Sequence, residues 1–334
     1  MSKPYLFTFW EPVNGTPAYI EIALELMERH LSDSFYHVHL NLQTAQKWSN
    51  RVDEFLQASD PFALGKSISF EGRRIAVFSD MLRIELLKNY GGLWIDADTL
   101  VMPEAANIAD IVDNYDFFCS ESERLTLANG VMGGKAGSAF LGAMYESMLN
   151  RLENNSFPAK LHWGELGFRL IEKVYLARPC DNLCIAPFGT LIQNTGDNCG
   201  GIYSSQSNYS DMVAPQALAL SMSNSSTPEH VRSKSKTELL VEDTVFSLFH
   251  QRSSSIDNSK TKSTSLPLFY NRSDYLRSTL LKRQEHIESI SMLKQKLNRR
   301  NSQLAKSIQQ RDQFAAKLKI ANERIVRLKE RHEH

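Results

Sequence analysis

Cysteine is scarce: Cys119, Cys180, Cys184 and Cys199 are the four in 334 residues, and they make no recognisable disulfide framework. Cys180 and Cys184 are spaced to begin a zinc site, but no second pair of ligands follows at a suitable distance, so free or incidental thiols are expected. Long apolar runs are missing too. The opening MSKPYLFTFWEPVNG lacks the apolar core of a signal peptide, and no segment approaches the roughly 20 residues of a membrane span. A cytoplasmic protein is the expectation. Net charge is zero as a total, with 38 basic and 38 acidic residues, but not as a pattern. From Leu276 to His334, 15 Lys and Arg stand against 6 Asp and Glu, an excess of +9 that leaves −9 on the remainder. The same tail has neither Gly nor Pro through Arg331, which favours helix.

The hydrophobic fraction, 42%, is enough for a sizeable core and more than one unit. Residues Arg73 to Pro103, RRIAVFSDMLRIELLKNYGGLWIDADTLVMP, organise the chain. Ile75, Phe78, Leu82 and Leu86 recur at spacings of three and four, the stripe of an amphipathic helix. Asp80 and Arg83 share another face and can reach one ligand together. Gly91 and Gly92 stop the helix, and Leu93, Trp94 and Ile95 enter a sheet. Asp96 and Asp98 follow, and in an extended strand residues two apart face one side. Paired carboxylates at a strand's end suit a hard dication, Mn²⁺ or Mg²⁺, that also holds phosphates. Chance alone gives about 0.8 Asp-X-Asp triplets in a chain with 16 Asp, so the triplet gains meaning from its setting.

That setting is Ser79-Asp80-X-X-Arg83, a gap, Gly91-Gly92, an apolar triplet and the acids. It resembles the sugar-nucleotide-binding region of family 32 glycosyltransferases and the related capsular polysaccharide synthesis proteins; glucosylating bacterial toxins share the plan. The resemblance is specific over about thirty residues and fainter across most of the first 255. It implies an α/β fold of the GT-A type, Rossmann-like with a mainly parallel sheet. It also implies a metal-dependent transfer of a hexose-type sugar from a nucleotide-sugar donor to a glycan or other hydroxyl acceptor, with retention, in surface polysaccharide synthesis. Asp98 then holds Mn²⁺ or Mg²⁺, and Asp96 the ribose, the sugar or the ion's surroundings. Asp80 and Arg83 orient the donor sugar, near which the families place an Asn that Asn129 matches. Trp10, at the end of a first strand Tyr5–Trp10, matches a tryptophan beside the base. His250 takes the place of a late metal or diphosphate ligand. Trp163 and Gly167, in HWGELGF, mark the acceptor side, with Phe168 where relatives carry proline.

Along the chain, a helix is expected over Pro17–Leu31, strands over Phe35–Leu42, Tyr115–Cys119 and Leu125–Met132, and helices over Ile108–Val112 and Leu141–Leu152. Arg73 and Arg74 are placed just before the central helix. Cys184–Pro187 reads as a late strand and Val245–His250 as a last one. The catalytic domain is assigned to 1–255, with a flexible Ser-rich loop at 203–236, a linker at 256–275 and a basic coiled coil at 276–332. Leu276, Arg283, Ile290, Leu297, Leu304, Arg311, Leu318 and Ile325 make one heptad position, and Leu280, Ile287, Lys294, Asn301, Ile308, Ala315, Asn322 and Lys329 the other. This seam points to a homo-oligomer, and its charge to an anionic membrane surface, placing the protein peripherally on the inner face; no nucleic-acid partner is expected. Two other readings compete. One is a coiled-coil scaffold whose globule merely binds glycan or nucleotide. The other is a haloacid dehalogenase-like phosphatase, from Asp96-Ala97-Asp98-Thr99, with Gly196-Asp197 as a poor match to its second acidic motif.

Overall fold

The computed structural model describes residues 3–12, 15–59, 71–122, 127–153, 164–191, 199–256 and 273–332. They divide into two units, Met1–Leu280 and Leu281–His334.

The first unit opens with β1 (Tyr5–Phe9), α1 (Ala18–Leu31) and β2 (Tyr36–Leu40). The short helices α2 (Leu42–Ala45) and α3 (Val52–Ala58) follow. Asn41 and Thr44 start α2 with reciprocal side-chain-to-backbone bonds, a capping box. Then comes α4 (Glu71–Tyr90), which contains Arg73 and Arg74 rather than following them. It ends at Gly91 and Gly92, whose φ values are +66 and +92. A Cβ on Gly91 would lie 2.4 Å from the Ala136 nitrogen, and one on Gly92 would lie 2.2 Å from the Tyr5 carbonyl oxygen. Only glycine fits that reversal without displacing backbone.

β3 (Gly92–Ile95) and β4 (Thr99–Val101) follow, and a 3₁₀ turn over Pro103–Asn107 leads into α5 (Ile108–Asn114). β5 (Phe117–Glu121), β6 (Leu127–Gly134), α6 (Ala139–Glu153), α7 (Phe168–Ala177) and β7 (Leu183–Ala186) complete the central layer. The sheet order is β2-β1-β3-β6-β5-β7. β6 alone runs against its neighbours, so the sheet is mainly parallel, as the sequence implies. Side chains alternate between two cores: Leu6, Leu93 and Ile95 face one, with α1, while Phe7, Phe9 and Trp94 face the other, with α4. An α/β sandwich of this kind leaves its ligand edge at the carboxyl ends of the parallel strands.

Two expectations need correction. The stretch 203–236 is not one long loop. It holds α8 (Tyr209–Met212), β8 (Ala219–Ser221), a 3₁₀ turn (Asn224–Ser226), α9 (Glu229–Arg232) and the start of α10 (Lys236–Val241). β8 pairs antiparallel with β4 in a second, two-stranded sheet, and Leu218, Ala219, Leu220, Met222 and Val231 are core residues. Burial of those few apolar side chains outweighs the surrounding Ser and Asn. Nor is Val245–His250 a strand: it begins the helix α11 (Val245–Ser255). Thr244 caps it, exchanging side-chain-to-backbone bonds with Ser247, which supplies the helix start that a short apolar run hid.

Most of the expected 256–275 linker lies outside the described residues. α12 (Ser273–His332) begins within that assigned span and crosses the boundary between units. Leu280 belongs to the core of the first unit, at 3% exposure. In the second unit the seam residues Ile290, Leu297, Leu304 and Ile308 are exposed, and so is Leu293 beside them. Among the described residues no helix is long and apolar enough to cross a membrane. Cys119, Cys180 and Cys184 are free thiols.

Candidate active site

Three elements converge at the end of β3. α4 brings Asp80 and Arg83, the turn after β3 brings Asp96, and β6 brings Asn129. The antiparallel register makes this possible: Ile95 pairs with Val131, and the Asp96 N–H donates to the Gly130 carbonyl at 2.8 Å. Arg83 is the hub, with a side chain 6% exposed. Its Nη2 lies 3.0 Å from Asp96 Oδ1 and 3.3 Å from Asp80 Oδ1. Its Nη1 donates to the Asn129 carbonyl, and Nη2 also to Ser79 Oγ at 3.2 Å. The guanidinium lies 4.9 Å from the Trp94 ring centroid, and Trp94 Nε1 donates to Asp96 Oδ1 at 2.8 Å. A planar fork against a ring and two carboxylates is a geometry that lysine cannot reproduce.

Asp80 also accepts from Asn129 Nδ2 at 2.8 Å. Burial pushes its pKa up to about 6; the Arg83 charge opposes this and the Asp96 charge adds to it. Its side chain still keeps 18% exposure, and that of Asp96 33%. Gly167, the residue before α7, completes the group from another direction. A Cβ there would sit 2.4 Å from Asn129 Nδ2 and 3.3 Å from Asp80 Oδ2. Gly167 thus touches the residues assigned to the donor, whereas the sequence placed it towards the acceptor.

Asp96 and Asp98 do not share a strand. They occupy the turn between β3 and β4, and they engage opposite neighbours. Asp96 is held by Arg83 and Trp94. Asp98 Oδ2 instead accepts the backbone N–H of Asn224 at 2.5 Å. The alternation argument fails because the chain leaves the main sheet here to pair with β8. The two acids still feel each other: burial, and then the Asp96 charge, raise the Asp98 pKa to about 6. Asn224 carried no signal in the sequence. It lies 126 residues away, in a stretch whose composition suggested a loop.

Trp10 follows β1, which neighbours β3, and is half-buried against the α1-side core. Its Nε1 is buried without a hydrogen-bond partner among the described residues. His250 lies on α11, and burial together with the nearby Arg29 charge lowers its pKa, Glu25 opposing. Those neighbours are not the acids of the site, so the structure does not gather His250 with them. Trp163 and Gly196-Asp197 lie outside the described residues.

Residues 62–173, which contain Asp80, Arg83, Asp96, Asp98, Asn129 and Gly167, match the family model for capsular polysaccharide synthesis protein. Over that third of the chain the sequence is similar to capsular polysaccharide synthesis proteins. The match covers the part of the chain that builds the Arg83 hub. Three solved structures are similar at a distance. The PaToxG glycosyltransferase has 12% identity and a TM-score of 0.35, over 53% of this chain and 69% of that one. The apo form of the glycosyltransferase GlyE from Streptococcus pneumoniae TIGR4 has 14% and 0.42, over 78% and 62%. A glycosyltransferase involved in the glycosylation of the major capsid of PBCV-1 has 16% and 0.37, over 71% and 97%. At those identities and scores they add no weight to the family match. No curated protein matches the chain.

Proposed function

We propose that this chain is a metal-dependent glycosyltransferase that moves a hexose-type sugar from a nucleotide-sugar donor to a hydroxyl of a glycan or similar acceptor. The observation that carries this reading is the junction of Asp80, Asp96 and Asn129 on one buried guanidinium, inside the family-matched stretch. Arg83 fixes the two carboxylates at once, and their partly exposed side chains would receive sugar or ribose hydroxyls. Asp80 and Asn129 orient the donor sugar, so that its anomeric carbon is presented in one pose. Trp10 stacks on the base with the exposed part of its half-buried ring, and Gly167 lets the backbone approach the sugar closely. Trp163 is retained as an acceptor-side candidate and His250 as a candidate diphosphate ligand on the strength of resemblance alone. No side chain is assigned as a nucleophile, and front-face attack by the acceptor hydroxyl, with retention, is the proposed course.

The donor set fits a dication shared with the substrate. Among the described residues no three His, Cys, Asp or Glu converge as a metal cage. Asp98, with Asp96 beside it, supplies instead the one or two carboxylates with which Mn²⁺ or Mg²⁺ is held when diphosphate oxygens complete the shell. When bound, the ion would neutralise the diphosphate and stabilise the leaving group. Asp98, repelled by Asp96, is the acid with most to gain from such a charge.

α12 is proposed to join copies of the chain through its exposed apolar residues, with its basic surface resting on anionic lipid or glycan. The deciding experiment needs no known acceptor. Purified protein is incubated with a panel of nucleotide sugars and Mn²⁺, and slow donor hydrolysis is followed. Hydrolysis of one donor that stops on chelation supports the reading. No hydrolysis and no saturable binding of any donor sinks it.

A further inference from the structure

A polar cluster behind Asp98 has no part in the donor contacts above. The N–H that holds Asp98 Oδ2 belongs to Asn224, the first residue of a single 3₁₀ turn. The preceding Ser223 has φ 52, a left-handed conformation that disfavours residues other than glycine, so something must hold this turn in place. Two side chains from elsewhere do so. The Tyr19 hydroxyl on α1 donates to Asn224 Oδ1 at 2.5 Å. Arg232 on α9 donates from Nη1 to the same oxygen at 2.8 Å, from Nη2 to the Asn224 carbonyl, and from Nε to the Thr227 carbonyl at 3.3 Å. Arg232 therefore spans the turn from end to end. Tyr19 is fully buried in the α1-side core and braces it from beneath. On the other flank the Met222 N–H donates to the Asp98 carbonyl at 2.9 Å, which ties both the backbone and the side chain of Asp98 to this one segment.

We propose that Tyr19 and Arg232 are positioning residues for Asp98. They lock the 223–227 turn so that the Asn224 N–H takes one carboxylate oxygen and thereby fixes the direction of the other. The proposal rests on the reading of Asp98 as a carboxylate that holds a dication with the donor diphosphate. A carboxylate already fixed in direction loses little freedom on binding an ion, whereas one released from its hydrogen bond must be ordered by the ion itself. The cluster contributes no ligand of its own.

The test uses the full chain and Mn²⁺, with and without inorganic pyrophosphate, followed by calorimetry and by the paramagnetic resonance signal of free Mn²⁺. Asn224→Ala keeps the backbone N–H but removes the oxygen shared by Tyr19 and Arg232. Arg232→Lys keeps the charge but cannot span the turn. Both are expected to weaken Mn²⁺ binding by about 10-fold or more. Tyr19→Phe should do so by less, and Asn224→Asp, which keeps the acceptor, should bind close to the parent. In donor hydrolysis the Mn²⁺ concentration for half-maximal rate should rise by the same factor, while kcat at saturating Mn²⁺ recovers. A merely structural cluster would lower the melting temperature without that split. Folded variants that bind Mn²⁺ like the parent overturn the proposal and leave the metal reading intact. If Arg232→Lys does not fold, Tyr19→Phe and Asn224→Ala decide on the same readouts. A parent protein that binds no Mn²⁺ under either condition removes the metal reading, and this proposal with it.

Discussion

Asp80→Asn should make the protein more stable while disabling it. Burial raises the Asp80 pKa from 3.8 to about 6, even with Arg83 3.3 Å away. The folded state therefore holds a proton that the unfolded chain has released between those two values. Below pH 3.8 both states are protonated and the fold loses nothing. From there to about pH 6 stability falls, because the unfolded chain has released a proton that the fold still binds; above about 6 both states are ionised and the loss is constant. A shift of this size corresponds to about 3 kcal/mol at 1.36 kcal/mol per unit. The 18% exposure of the side chain lets water screen part of it, so about 1–2 kcal/mol is the expected cost at pH 8. Asparagine has nearly the same shape and no charge. Its oxygen can still accept from Asn129, and Arg83 keeps Asp96 at 3.0 Å, so no buried cation is orphaned. Urea unfolding at pH 8 should show Asp80→Asn more stable by that margin with an unchanged slope, and at pH 4 the difference should nearly vanish. Donor hydrolysis should fall by roughly 100-fold, because the sugar loses an orienting carboxylate. Equal or lower stability of the variant at pH 8 would refute the claim that this acid is held against its ionisation.

Arg83→Lys should cost about 3 kcal/mol in urea unfolding, because an ammonium cannot reach both acids and the Asn129 carbonyl, and should lose most donor hydrolysis as well; a variant silent in both would show that the guanidinium fork does not fix the two acids. Asp98→Asn should leave the fold intact in circular dichroism and abolish calorimetric Mn²⁺ binding, and parent-like binding would remove Asp98 as a metal ligand. Gly167→Ala places a Cβ 2.4 Å from Asn129 Nδ2, so KM for the donor should rise while the melting temperature barely changes; an unaltered KM would place the glycine away from the sugar. Truncation after Leu281 keeps the buried Leu280, which a cut after Arg272 would remove, and should spare donor hydrolysis while converting an oligomer to a monomer by light scattering. A monomeric full-length chain would exclude the coiled coil.

The sequence makes the Arg83 hub legible because its parts are close in the chain and each obeys a local rule. A helical stripe sets Asp80 and Arg83 on one face, and two glycines reverse the backbone where a side chain would collide with Tyr5 or Ala136. A strand then carries the acids back past the same helix. The misread segments fail for the opposite reason. Val245–His250 reads as a strand because it is short and apolar, yet its pairs Val245-Phe246 and Leu248-Phe249 recur at helical spacing and Thr244 with Ser247 marks the helix start. The 203–236 stretch looks like loop because Ser and Asn dominate its composition, yet β8 needs only three residues and a partner, β4, that lies more than a hundred positions earlier. No local rule encodes that pairing. It is also why the paired acids looked equivalent and are not. Asp96 is fixed by the helix that precedes it, through Arg83, whereas Asp98 is fixed by a turn folded in from late in the chain. Substitutions in α4 should therefore disturb sugar orientation first, and those in 223–232 the affinity for Mn²⁺, so the two carboxylates of one short motif can be separated by experiments on residues that neither motif nor spacing would have selected.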